Sequence, residues 1–281
     1  VLKTVMGQIV GIIEERVVPR PDEDKAKPEG FGVSFDNISF SYGEKEVIHN
    51  VSLNMDEGRL TAIVGPSGSG KTTLARLLAS FWDGYSGRIS IGGVDIRDLS
   101  EATYRSMVAY VSQDNFLFDD TVMENIRIGR PSATDDEVIA AAKKCGCHEF
   151  ISSLEDGYQT VVGGNGSHLS GGEAQRVSIC RAMLKDAPIL ILDEATAYTD
   201  PESEAALGDA IKSLSEGKTL IVIAHRLSTI MRANRIYVMD KGSLAEEGTH
   251  QGLLAKHGLY EAMWKAHISS RDGHVGEDGN V

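Results

Sequence analysis

The sequence is short of cysteines, basic charge and long apolar runs, and each shortage removes a class of protein. Three cysteines, Cys145, Cys147 and Cys180, stand among 281 residues. That number builds no disulfide framework, and with no basic, apolar, small-residue start of the secretory type it fits a reducing cytosol. No stretch approaches the ~18 consecutive apolar residues that a membrane-spanning helix requires. Net charge is −13, with 28 basic against 41 acidic residues, so the basic footprint of nucleic-acid binding is missing. The first residue is Val1 rather than methionine, which reads as a piece of a longer polypeptide. What remains is 41% hydrophobic, enough to bury the core of one large domain or two small ones.

Residues 1–16 space Leu2, Val5, Ile9, Ile12, Ile13 and Arg16 roughly as a helix does. Residues 17–32 are rich in proline, glycine and charge and read as a linker. A globular domain is expected over 33–267, and the polar segment 268–281 reads as a disordered tail. Strands are expected at Leu60–Val64, Arg88–Ile91, Met107–Val111, Ile189–Leu192, Leu220–Ala224 and Arg235–Met239. Several are continuously apolar, as strands buried on both faces are. Helical patterns around 72–80, 171–184 and 202–214 alternate with them. The fold class is therefore α/β with a mostly parallel central sheet.

Two motifs carry phosphate chemistry. Gly65-Pro66-Ser67-Gly68-Ser69-Gly70-Lys71-Thr72 follows the strand LTAIV and opens a helix that continues with Thr73. Its pattern is G-x-x-x-x-G-K-[ST]. Glycines let backbone N–H groups wrap a β-phosphate, and the helix N-terminus favours the anion. Lys71 neutralises β- and γ-oxygens, and the Thr72 hydroxyl is a Mg²⁺ ligand. The second motif is the apolar strand 189–192 ending in Asp193 and Glu194. Asp193 is read as holding Mg²⁺ through water, and Glu194 as polarising the water that attacks the γ-phosphate.

A third motif, Leu169-Ser170-Gly171-Gly172-Glu173, separates this chain from other phosphate-loop proteins. With it the chain resembles the nucleotide-binding domain of an ABC transporter, of the kind fused behind exporter-type membrane helices. The resemblance implies a P-loop ATPase core with an antiparallel β subdomain near the start and a helical subdomain over about 114–178. It implies that Ser170 and Gly172 donate to the γ-phosphate of ATP held by a second ATPase domain, in a homo- or heterodimer closed head to tail. Ser170-x-x-Glu173 also reads as a capping box, and both readings hold together. By the same resemblance Tyr42, expected on a loop, stacks on adenine. Gln113 touches Mg²⁺ and the attacking water and begins the segment that senses the membrane domain. His225 binds the γ-phosphate and links it to Glu194. Asp200 lies on the loop that crosses to the partner. Residues 1–16 resemble the cytoplasmic end of a last transmembrane helix. The implied cofactors are ATP and Mg²⁺, the implied partner a transmembrane domain, and the implied location the cytoplasmic face of a membrane.

The sequence departs from the exporter pattern in places. Gly164 stands where an acid is usual before the signature, Glu173 where glutamine is commoner, and Tyr198-Thr199 where Ala-Leu is usual. Phe81-Trp82-Asp83, Glu173 and the run Ala197-Tyr198-Thr199-Asp200-Pro201 resemble a siderophore-associated branch, whose members often pair as heterodimers and some of which import. Two rival readings are a regulatory half-site that binds ATP without hydrolysing it, and an ABC ATPase of nucleic-acid maintenance. Glu194 and His225 argue against the first. Against the second, only 99 positions separate Lys71 from Ser170, too few for a coiled-coil insert. Cys145-Gly146-Cys147-His148 lacks zinc spacing, and Cys180 and His250 read as structural.

Overall fold

A strand that is apolar at every position has no face to give to water, and such strands form the centre of this fold. Ile189, Ile191, Ile221, Ile223, Tyr237 and Met239 enter one buried cluster, while Leu190, Leu192, Leu220, Val222, Ile236 and Val238 enter another. Side chains alternate across a strand, so both clusters are served by the same sheet from opposite sides. The computed structural model describes residues 19–164, 169–193, 217–224 and 227–275.

Its strands in chain order are β1 (Val33–Tyr42), β2 (Lys45–Met55), β3 (Leu60–Val64), β4 (Ser86–Ile91), β5 (Val94–Asp95), β6 (Val108–Val111), β7 (Asp120–Thr121), β8 (Val161–Val162), β9 (Ile189–Asp193), β10 (Thr219–Ile223), β11 (Arg235–Asp240) and β12 (Ser243–Gly248). The α-helices are α1 (Lys71–Leu78), α2 (Glu101–Met107), α3 (Val122–Arg127), α4 (Asp135–Lys144), α5 (His148–Ser153), α6 (Gly171–Lys185), α7 (His250–Ala255) and α8 (Leu259–Val275). The central sheet runs β12-β11-β3-β10-β9-β6. All its pairings are parallel except the β11–β12 edge. A second sheet, β2-β1-β4-β5, is antiparallel. Its inward residues Phe35, Ile38, Ile48 and Ile89 share a core with Leu74, Leu77 and Leu78 of α1. The class is the expected one: a P-loop ATPase fold with an antiparallel part at the start.

The helical part comprises α3, α4, α5, the short β7–β8 pair and one face of α6. Thr121, Thr134 and Ser170 start α3, α4 and α6 by accepting from the backbone three residues on, and the last two complete capping boxes. Its polar hub is Asn125, which is fully buried. The Asn125 amide donates to the carbonyls of Phe118, Asp120 and Thr121, and its oxygen accepts from Phe118 N–H and the Arg181 guanidinium. Cys145, Cys147 and Cys180 pack together in the neighbouring core, the last two with sulfurs 3.1 Å apart.

Two segments flanking the expected domain are more firmly structured than their composition suggests. Residues 19–32 hold no helix or strand, yet they are fastened along their length. Arg20 donates to the carbonyls of Ile96 and Leu99, pairs with Glu101 at 2.9 Å and lies over the Tyr104 ring at 3.8 Å. Asp24 accepts from Ser100 N–H and the Thr103 hydroxyl, Lys25 pairs with Asp98, and Glu29 N–H reaches the Gly92 carbonyl. Pro and Gly content registers the missing secondary structure but not these long-range anchors. The second correction is the tail. Helix α8 continues to Val275, past the boundary at 267 where disorder was expected. Tyr260 is buried against His250 at 2.8 Å, so the helix is nucleated by packing, and adding further turns costs little.

Candidate functional site

The site is built at the C-terminal end of β3, where the chain must turn sharply into α1. Gly65 has φ +151°, and a Cβ there would stand 2.2 Å from the Met239 carbonyl. Gly70 has φ +101°, precedes α1, and gives it no side-chain cap. The first N–H groups of α1 are thus left for a ligand. Lys71 is buried, and its ammonium donates to the Gly65 and Pro66 carbonyls at 2.9 and 3.0 Å. Ser67, Gly68, Gly70, Lys71, Thr72, Thr73 and Gln113 line one cavity of about 550 Å³ together with Lys45 and Val47. Ser69 lies beneath, buried, with a hydroxyl that finds no partner among the described residues.

Behind this cavity lies Asp193, 1% exposed. Thr72 Oγ1 donates to its Oδ1 at 3.1 Å, and Tyr110 Oη donates to its Oδ2 at 2.7 Å. Burial, helped by that donation, pushes the Tyr110 hydroxyl far above its ordinary value. A buried carboxylate, a hydroxyl at its side and Gln113 across the cavity form an all-oxygen donor set, which suits Mg²⁺. A cavity ringed by backbone N–H groups and cationic Lys71 suits polyphosphate. The residues present therefore fit both groups.

Tyr42 corrects one expectation. It is the last residue of β1, paired with Lys45 across the turn, rather than a loop residue. Alternating β-branched and aromatic residues carry the strand through to the turn at Gly43. Its ring meets Phe40 and Trp82 edge-on, with centroids 4.9 and 5.3 Å away, and its hydroxyl approaches Thr73 at 3.5 Å.

Ser170, Gly171, Gly172 and Glu173 lie apart from the Lys71 cavity, at the start of α6. Ser170 is exposed. The Glu173 carboxylate accepts from Ser170 N–H at 2.8 Å and from its hydroxyl at 2.9 Å. Gly164 is exposed and has open space where a side chain would stand. Glu194, Asp200 and His225 lie outside the described residues, as do 1–16 and the helix expected over 202–214. Sequence reasoning missed Lys45 and Val47, which reach the cavity from the hairpin, and Tyr110. For Tyr110 a signal existed: it is the polar residue in an otherwise apolar strand.

The loop, its lysine and the buried acid beside it define a P-loop nucleotide-binding domain. Residues 48–197 match the ABC transporter family, and the chain belongs to it. It is 49% identical over 239 residues to an uncharacterized ABC transporter ATP-binding protein, YknV, of Bacillus subtilis (strain 168), covering 85% of this chain and 40% of that one. It is 47% identical over 243 residues to an ATP-dependent lipid A-core flippase of Syntrophus aciditrophicus (strain SB), covering 86% of this chain and 40% of the relative. Among solved structures, a bacterial Atm1-family ABC exporter with ATP bound superposes with a TM-score of 0.86 at 42% identity, covering 93% of this chain and 46% of the other. The chain thus spans about 40% of the length of the curated relatives it matches.

Proposed function

We propose that this chain binds and hydrolyses MgATP, and that the cycle of closing and reopening on a second ATPase domain drives transport through membrane helices. The observation that carries the reading is Thr72 and Asp193 in contact beside Lys71 at the end of a parallel sheet. Lys71 would leave the loop carbonyls for the β- and γ-phosphates, while Ser67 to Thr73 wrap them with backbone N–H groups. Tyr42 would stack on adenine. Thr72, Gln113 and Asp193 would hold Mg²⁺, which supplies charge neutralisation at the phosphate oxygens when bound. Glu194 would orient and deprotonate the water, with His225 on the γ-phosphate. Ser170 and Gly172 of the partner would complete the site, because in this chain they stand away from Lys71.

This chain also offers a surface on which a membrane domain would dock. A groove of about 480 Å³ lies between the segment after Gln113 and α6, and includes Phe116, Phe118 and Ile128. These three are 66%, 51% and 48% exposed, an apolar patch of the kind that marks an interaction site. The domain would sit at the cytoplasmic face of the membrane. The transported substrate is bound in the membrane part of such transporters.

Light scattering of the Glu194→Gln protein tests the reading. Its mass is expected to double with MgATP and to stay single without it, since removing the base allows closure but stops turnover. ATP turnover equal to that of the parent would overturn the role of Glu194. Glu173→Gln is a second test. The amide oxygen still caps α6, but the charge facing the partner's γ-phosphate is gone. Two like charges at ~5 Å in a medium of dielectric ~60 repel by about 1 kcal/mol, so ATP-driven pairing should tighten about fivefold with no change in melting temperature. Equal pairing affinity would mean that Glu173 turns away from the phosphate on closure.

A further inference from the structure

The proposed site accounts for Asp193 through Thr72 and the metal, but leaves unexplained why a tyrosine in a buried strand spends its hydroxyl on the same carboxylate. Register gives the geometry. β6 pairs with β9 in parallel, Tyr110 opposite Ile191, so Tyr110 lies on the same face as Asp193 two residues later. The donation at 2.7 Å goes to Oδ2, while Thr72 takes Oδ1 at 3.1 Å. With both oxygens tied from opposite elements, the plane of the carboxylate is set.

Tyr110 is itself held. The ring of Phe81 meets it edge-on at 5.0 Å.

We infer that Tyr110 is a positioning residue for the metal-binding carboxylate of Asp193. The inference rests on the MgATP reading. A hydrogen bond to a charged group is among the stronger kind, and losing a partner that orients a metal-ligating group typically changes metal affinity by about 10-fold or more. Tyr110 is not among the residues lining the phosphate-loop cavity, so its role is orientation.

The test is a Mg²⁺ titration of nucleotide binding, followed by the fluorescence of Trp82 in a Trp264→Phe background. Trp82 is one of two tryptophans and stands beside Tyr42. In Tyr110→Phe the Mg²⁺ needed for half-maximal tightening of ATP binding should rise about tenfold, while affinity for ATP in EDTA stays at the parent value. The phenylalanine ring keeps the packing, and an unchanged melting temperature would exclude misfolding. If the parent binds ATP with Mg²⁺ enhancement and Tyr110→Phe shows the same Mg²⁺ requirement, the positioning role is overturned and the MgATP reading stands. If the parent shows no Mg²⁺-dependent ATP binding, both fall.

Discussion

Lys71→Ala should hydrolyse ATP at least about 100-fold more slowly than the parent and lose most of its nucleotide affinity, while melting within a few degrees of it. The ammonium is buried against two loop carbonyls. No other cationic side chain but Lys45 lines the described cavity, and Lys45 reaches in from the β1–β2 hairpin rather than from the loop. Removing one preorganised donor from a water-poor phosphate site costs roughly 10²–10³ in rate. Stability should change little, because the substitution removes a buried charge together with its bonds. Steady-state phosphate release and a melting curve separate the two effects. A variant that turns over within threefold of the parent would show that the phosphate lies elsewhere.

The second large effect should come from a residue with no part in chemistry. Asn125→Ala removes five hydrogen bonds at one buried point. It takes a partner from the Asp120 and Thr121 carbonyls, from Phe118 N–H and from part of a guanidinium, while the Phe118 carbonyl keeps the Asp120 N–H. Burial already pulls Arg181 down to about 10, so its remaining contacts matter. Unsatisfied buried groups cost about 1–3 kcal/mol each, with partial relaxation, so a total of about 3–5 kcal/mol is expected. That corresponds to a fall of roughly 10 °C in melting temperature. ATP binding at Lys71 should survive, because β3, α1 and the loop make no bond to Asn125. Thermal unfolding followed by circular dichroism checks the first figure, and nucleotide titration below the transition checks the second. A fall under 3 °C would mean that water replaces the lost partners.

These two residues show what the sequence could reveal. Lys71 was legible because its chemistry needs a fixed local spacing, which one strand, one loop and one helix start supply without help from the rest of the chain. The same holds for Ser170 and Glu173, whose capping box closes within four residues. Continuous apolar runs also located β3, β9, β10 and β11 closely, because burial on both faces leaves its mark on every position. Asn125 and Tyr110 were not legible in the same way. The first is defined by partners from residue 118 to residue 181, and the second by a strand register. Neither spacing nor polarity encodes which strand lies beside which. Tyr42 fell between: its identity was read from resemblance, but the hairpin that carries it depends on pairing with Lys45. The fastening of Arg20 was invisible for the same reason, since its acceptors lie 76 and 79 residues away.

That fastening has a mechanical consequence. A slack connector absorbs displacement, and force reaches a folded body only when the connector is taut. Here residues 19–32 are clipped down at Arg20, Asp24, Lys25 and Glu29 before the first strand begins. A pull or twist travelling along the backbone from residue 18 would therefore enter the domain at Arg20. The first residues to receive it are Tyr104 and Ser80, the latter two residues past the end of the phosphate-loop helix. The chain is geared to its own nucleotide pocket through a lever a few residues long.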